Sequence, residues 1–395
     1  MRILHTDFHV GWGGQAARVL MLSRELALRG HHVTIAAPPG ELTRRAGEIA
    51  LETPGLTVAD RFAFRAPGHV LSFARDCRRM KELLSRGDFD IVDVHGSQDT
   101  WVTAIVRLLT GLPRRLVMTR HNTKRVRTGL PNRRLYGRLI DHLIIVDESI
   151  RLQYAPLLAG GILASDMISV VPSAYRADLF HERVSGTRVR RELGIPEGDP
   201  VVGVAGRLVT DKGHIHLMKA ACELKPYLPG LVLVFAGTGP NEARLRSQAD
   251  ELGLSASVRF LGFRSDVAEV QAAFDVAVLP SVGCDASSAA IKEAMALGVP
   301  VVASDIGGAR HIIRDGVTGI IVRPGRPEDL VSALRTLLDD RGSARAMAER
   351  AREDVARRFS LDRLTGQTLD AYAAALAARK RARRHEAALP AGKTA

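Results

Sequence analysis

Two cations on one loop and two carboxylates on one helix stand where an extended, phosphate-bearing ligand could use them. The run Gly206-Arg207-Leu208-Val209-Thr210-Asp211-Lys212-Gly213 follows an apolar strand and brings Arg207 and Lys212 together. Fixed cations in that position neutralise charge that develops on a departing diphosphate. Farther along, Asp285 and Glu293 are separated by about two helical turns, so a ligand lying along the start of that helix could meet both. Carboxylates suit the hydroxyl groups of ribose and hexose. Ser287 and Ser288 fall at the helix start, where unpaired N–H groups and the helix dipole suit a diphosphate. The plainer alternative makes Asp285 or Ser287 an N-cap and Glu293 an exposed helix residue. Gly11, Gly13 and Gly14 lie between the first strand and the first helix, where glycine lets a backbone approach an anion or serves a turn of positive φ.

These residues need elements that bring them to one place. Strand-like and helix-like segments alternate along the chain, the pattern of parallel sheets covered by helices on both faces. In the first half, 2–5, 32–37, 90–94, 115–119, 142–146 and 169–171 read as buried strands, and 13–29 reads as an amphipathic helix. Residues 172–200 are rich in polar and turn types, with a short helix around 189–193, and read as a crossover between domains. A second alternation begins at 201–205 and continues through 232–236, 258–261, 276–279, 301–303 and 320–322. After Asp329 the sequence turns helical and ends in a basic tail. Ligands of open α/β sheets collect beyond the carboxyl ends of the strands, which is where the loops just named would lie.

Composition narrows the function. At 395 residues the chain suits two domains, and 46% hydrophobic with 25% charged residues describes a folded globular protein. The apolar run at the start is too short for a secretory signal, and no apolar stretch approaches the roughly 20 residues a membrane helix needs. Cys77, Cys222 and Cys284 have no metal-ligand spacing, and no carboxylate cage for a metal is evident. Strand 32–37 lacks a closing acidic residue for a ribose, which disfavours a dinucleotide cofactor. The formal charge is +13, and no acidic residue lies between Asp99 and Asp141, where Arg114, Arg115, Arg120, Lys124, Arg125, Arg127, Arg133, Arg134 and Arg138 crowd. Aromatics are only 5% and nucleic-acid motifs are lacking, so an anionic membrane leaflet or a phosphorylated lipid fits this surface better than DNA or RNA.

Several stretches together resemble family 4 glycosyltransferases: 171–180, 203–213, 235–240, Arg259-Phe260-Leu261-Gly262-Phe263, 275–281, and the whole run from Asp275 to Gly308, which looks like that family's donor-binding segment, written Glu, seven residues, Glu. The resemblance spans essentially the whole chain. It implies the GT-B fold, two doubly wound Rossmann-like domains facing across a cleft, and retaining transfer of a hexose-type sugar from a nucleotide sugar, most simply a UDP-sugar, to a glycan or lipid-linked acceptor in cell-surface polysaccharide or lipopolysaccharide synthesis. Glu293 would hold the donor ribose, Arg207 and Lys212 the diphosphate, and the loop of Gly262, Phe263 and Arg264 the base through its backbone. Gly13 and Gly14 would approach the donor phosphates. His121, in Thr119-Arg120-His121, would contact the transferred sugar, with His95 as the second choice. Asp285 replaces the family's first glutamate, Ala286-Ser287-Ser288 its Gly-Phe-Gly, and His311 a glutamate after Gly307-Gly308. Asp-containing variants are similar to members that build lipopolysaccharide.

The resulting expectation is an N-terminal acceptor domain at 1–178, a linker at 179–200, a donor domain at 201–358, a helix at 359–380 packing back on the first domain, and a flexible tail at 381–395. No metal or cofactor is required, and the expected location is cytoplasmic with peripheral contact at the inner face of the membrane. A nucleotide-sugar epimerase or hydrolase, or a non-catalytic nucleotide-sugar binder, remains open at this point.

Overall fold

The computed structural model describes residues 1–65, 69–283 and 287–388, with side chains as far as residue 377. Two compact units divide the chain: Met1–Ser173 with Leu361–Ala395, and Ala174–Ser360.

In the first unit, strands β1 (Arg2–Thr6), β2 (His32–Ala36), β3 (Leu56–Ala59), β4 (Ile91–Val94), β5 (Leu116–Arg120), β6 (His142–Ile145) and β7 (Ile168–Val170) form one sheet in the order β3-β2-β1-β4-β5-β6-β7. Every pair is parallel. Ile3, Leu4, Ile35, Ile91, Val92, Val94, Leu116 and Val117 are wholly buried, as strands covered on both faces require. Helix α1 (Gly14–Leu28) buries Val19, Leu22 and Leu26 against this sheet. Helix α2 (Ser97–Thr110) follows β4. β3 was not expected from the sequence: four residues after Pro54-Gly55 at a sheet edge carry too little pattern to stand out.

In the second unit, β8 (Val201–Ala205), β9 (Val232–Ala236), β10 (Val258–Gly262), β11 (Val276–Leu279), β12 (Val301–Ser304) and β13 (Ile320–Val322) form a parallel sheet in the order β10-β9-β8-β11-β12-β13. Helices α3 (His214–Leu224) and α4 (Ala289–Ala296) follow β8 and β11. Residues 179–200 are not a free connection. Phe180, Val189 and Ile195 are buried in this unit's core with Phe274 and Ile291, because three large apolar side chains spaced along the segment gain more from burial than from exposure. Helix α5 (Leu361–Ala388) belongs to the first unit, where it packs on α1 and β6.

Each sheet reverses its strand order at one place, β1 beside β4 in the first and β8 beside β11 in the second. Such reversals open a crevice at the carboxyl ends of the strands.

Candidate active site

At the first reversal, the apolar strands carry polar residues that should not be there. β4 reads Ile-Val-Asp-Val, fully buried, and β1 ends in His5 and Thr6, also fully buried. A buried polar group is tolerated when it is hydrogen-bonded, and most of these are. Asp93 accepts from Thr119 Oγ1 at 2.8 and 3.0 Å and from the hydroxyl of Tyr372 at 2.8 Å. The Tyr372 oxygen lies 3.0 Å from His5 Nε2, and Ser23 Oγ lies 3.1 Å from His5 Nδ1. His95 Nδ1 meets His121 Nε2 at 3.0 Å. The two histidines expected at strand ends are thus in direct contact, with His95 buried and His121 half-buried.

Burial dominates the electrostatics here. It lowers the pKa of His5 and of His95 to about 3 and that of His121 well below the usual histidine value, with neighbouring His95 and Arg18 adding to the last shift, so all three rings are neutral at pH 7. Burial also pushes the Asp93 carboxyl up, opposed by His5, Tyr372, Thr119 and Arg18. Arg18 is 1% exposed; its Nη1 donates to the Val171 carbonyl and to Ser173 Oγ, at 2.9 and 3.1 Å.

Among the described residues, His5, Asp93 and His95 are the one group with metal-ligand types close together, their ligand atoms within 4.8 Å of one another. No spacing in the sequence announces this cluster, because His5 and Asp93 are far apart in the chain. Both nitrogens of His5 and both oxygens of Asp93 are engaged by Ser23, Tyr372 and Thr119, so hydrogen bonds alone satisfy them.

Gly13 and Gly14 are exposed at the start of α1. Neither they nor Gly11 adopts positive φ, and a Cβ added at any of the three would meet nothing within 4 Å. The turn explanation for these glycines therefore falls away, and the backbone there faces open space.

At the second reversal, the loop after β8 is pinned to the loop after β11. Gly213 has φ +65°, and a Cβ there would lie 1.9 Å from the Pro280 carbonyl oxygen, so only glycine allows this approach. The Val282 and Gly283 N–H groups donate to the Asp211 carbonyl at 2.8 and 3.2 Å. Arg207 is exposed and Lys212 half-buried on the pinned loop. Asp285 lies outside the described residues. Ser288 caps α4, its hydroxyl accepting from the Ile291 N–H at 3.4 Å, and Ser287 Oγ accepts from Lys292 Nζ at 3.0 Å. Lys292 is fully buried over the Phe359 ring and brings to the helix start a cation not expected from the sequence. Its signal was a lysine inside the apolar run Ala-Ala-Ile-Lys-Glu-Ala-Met-Ala.

Glu293 is half-buried rather than exposed and accepts from Gln271 Nε2 at 3.0 Å. Burial raises its pKa, while Gln271 and Lys292 hold it back. Gly262 ends β10, two strands from β8 and so about 10 Å from the cation loop at the usual interstrand spacing. Beside it Phe263 is 66% exposed. Arg264 is forked between Glu192, at 2.5 and 3.0 Å, and Asp266, at 2.7 and 2.7 Å, so its guanidinium is engaged within the unit. His311 is exposed at the end of the short helix Ala309–Ile312.

Residues 12–173 match the family described as Glycosyltransferase Family 4, and residues 186–354 match Glycosyl transferases group 1. A D-inositol 3-phosphate glycosyltransferase of Nocardia farcinica is 32% identical over 400 residues, covering 92% of this chain and 85% of the relative. The lipopolysaccharide core biosynthesis glycosyltransferase LpsE of Rhizobium meliloti is 34% identical over 190 residues, 48% of this chain and 53% of that one. The chain spans about half the length of several curated relatives that it matches. In three dimensions it is similar to Anabaena Alr3699/HepE in complex with UDP-glucose, with a TM-score of 0.78 at 22% identity over 94% of this chain and 98% of that one.

Proposed function

This chain belongs to the family 4, group 1 glycosyltransferases, nucleotide-sugar-dependent enzymes, and we propose that it transfers a hexose-type sugar with retention from a UDP-sugar to a glycan or lipid-linked acceptor of the cell surface. Its two doubly wound units are those of the GT-B fold. The observation that carries the reading is the second reversal: a loop bearing Arg207 and Lys212, locked by Gly213 against the loop that leads into α4, with Glu293 on that helix.

In this reading the donor diphosphate lies between Arg207, Lys212 and the start of α4, where Ser287 and Ser288 stand. Glu293 accepts from the ribose hydroxyls, held for that task by Gln271. The base rests on the backbone of the loop of Gly262, Phe263 and Arg264. Gly13 and Gly14 are assigned to the donor phosphates and His121 to the transferred sugar by the family resemblance. The bond from the anomeric carbon to the diphosphate breaks as the acceptor oxygen bonds to that carbon on the same face. The acceptor proton passes to the departing phosphate oxygen. Charge on the leaving group is met by fixed cations and the helix start, so no metal is needed. The LpsE match supports a surface-glycan acceptor, and the exposed Lys124, Arg125, Arg127, Arg133, Arg134 and Arg138 support contact with an anionic membrane. That contact weakens as salt screens it; binding to anionic vesicles that ignores ionic strength would refute it.

Thermal shift with UDP-, GDP- and ADP-sugars tests the donor site, because a ligand that binds the folded state raises its apparent stability. UDP-sugars should stabilise the wild type and not Glu293→Ala. A folded wild type that no nucleotide sugar stabilises would overturn the assignment. Donor breakdown without an acceptor would favour an epimerase or hydrolase instead.

A further inference from the structure

We propose that Asp93 and Tyr372 act as positioning residues that fix the tautomer of His121 through His95, so that His121 presents a bare Nδ1 to the transferred sugar. The inference rests on the reading of His121 as the sugar-facing histidine.

The argument is one of proton placement. Two neutral rings meet through His95 Nδ1 and His121 Nε2 at 3.0 Å, so one of those nitrogens carries the hydrogen and the other accepts it. The opposite nitrogen of His95, Nε2, is buried with no hydrogen-bond partner among the described residues and lies 3.8 Å from Asp93 Oδ2. A lone pair turned toward a carboxylate is repelled, whereas an N–H is attracted. His95 therefore carries its hydrogen on Nε2 and accepts at Nδ1. His121 must then donate from Nε2, which leaves its Nδ1 unprotonated.

Asp93 can impose this because its carboxylate is itself aimed. Thr119 donates to it from the neighbouring strand and Tyr372 from the far end of the chain, on α5. Arg18, buried nearby, contributes a compensating positive charge. The consequence for chemistry lies in the transition state. A bare nitrogen that accepts a hydrogen bond from a sugar hydroxyl feeds electron density into the ring as positive charge grows at the anomeric carbon, and an N–H would withdraw it.

Asp93→Asn reverses the relay with every group still paired. The amide N–H turned toward Tyr372 lets its hydroxyl donate to His5 Nε2, and His5 then donates to Ser23. An amide N–H facing His95 Nε2 moves that ring's hydrogen to Nδ1, and His121 then accepts at Nε2 and carries its own hydrogen on Nδ1.

The test is 15N NMR of histidine-labelled full-length protein, with kcat and KM measured alongside. The wild type should show His121 protonated at Nε2, and Asp93→Asn should show it protonated at Nδ1, with kcat lower by about ten- to a hundredfold and KM little changed. Tyr372→Phe keeps the tautomer but loosens Asp93, so kcat should fall by less, about two- to tenfold. Should Asp93→Asn fail to fold, the wild-type spectrum and Tyr372→Phe still decide. A wild-type His121 protonated at Nδ1, an unchanged tautomer in folded Asp93→Asn, or a reversed tautomer with unchanged kcat would each overturn the proposal. His121→Ala is the separate check on the underlying reading: full transfer there removes the histidine's role, whatever the ring spectra show.

Discussion

The carboxyl ends of the two sheets meet the same topological demand with opposite means. In the first unit the reversal is filled by side chains brought from remote parts of the chain and buried: His5, Asp93 and Tyr372 are each 0% exposed and hydrogen-bonded to one another or to a neighbour. In the second unit the candidate groups stand on loops open to solvent, with Arg207 exposed after β8 and Phe263 66% exposed after β10. The first arrangement fixes its groups before any ligand arrives and makes them part of the core. The second leaves Arg207 in water, where an anion can replace the solvent around it. Stability and function should therefore be entangled in one unit and separable in the other.

Three substitutions expose that difference, the largest effect first. Tyr372→Ala removes a fully buried aromatic ring and a hydrogen-bond donor to a buried carboxylate, and should cost the first unit about 3–5 kcal/mol. Both tryptophans, Trp12 and Trp101, lie in that unit, so its unfolding can be followed by their fluorescence in urea. An unchanged midpoint would mean that the network is not part of the core. Arg207→Ala and Lys212→Ala should each lower kcat by about 10²–10³-fold, the loss typical of removing a group that meets transition-state charge. For exposed Arg207 the midpoint should stay within about 0.5 kcal/mol of wild type, as at other surface sites. Steady-state transfer with the preferred donor measures the first quantity. A variant that is destabilised in proportion to its lost activity would erase the contrast between the units.

The same contrast explains what was legible in the sequence. The strands of both sheets were visible because parallel strands covered on both faces must be runs of apolar residues. Arg207 and Lys212 could be placed on a loop after an apolar strand, and Glu293 on a helix, because those elements are marked by local pattern. Tyr372 and Asp93 were not visible, since nothing local tells a tyrosine in the middle of a long helix that its hydroxyl will reach a strand some 280 positions earlier. His95 and His121 could be placed at strand ends, but not in contact with each other. Residues 179–200 misled for a related reason: polar and turn residues dominate the segment, while the three apolar side chains that bind it to the second unit, Phe180, Val189 and Ile195, are spread too thinly to show a period.

Asp99 gives the smallest of the expected effects and the most specific, because it predicts a sign. Its Oδ2 accepts from Thr6 Oγ1 at 2.5 Å and from the N–H groups of His95 and Gly96 at 3.1 and 3.2 Å. Those bonds favour the carboxylate, yet burial outweighs them and raises the pKa from 3.8 to about 7. The folded chain thus holds a proton that the unfolded chain has released, between about pH 4 and about pH 7. Stability from this group is fully present below that window and is lost as the pH rises through it. Asparagine keeps an oxygen for the same three donors and has no proton to lose. The stability of the wild type relative to Asp99→Asn should therefore be greater at pH 4.5 than at pH 8, by about 1–3 kcal/mol. Trp101, two residues away on α2, reports the unfolding of this region directly. A margin that stays flat from pH 4.5 to 8 would mean that the carboxyl titrates normally. The buried ends of β1 and β4 would then be wetter than their packing implies, and the first unit would resemble the second after all.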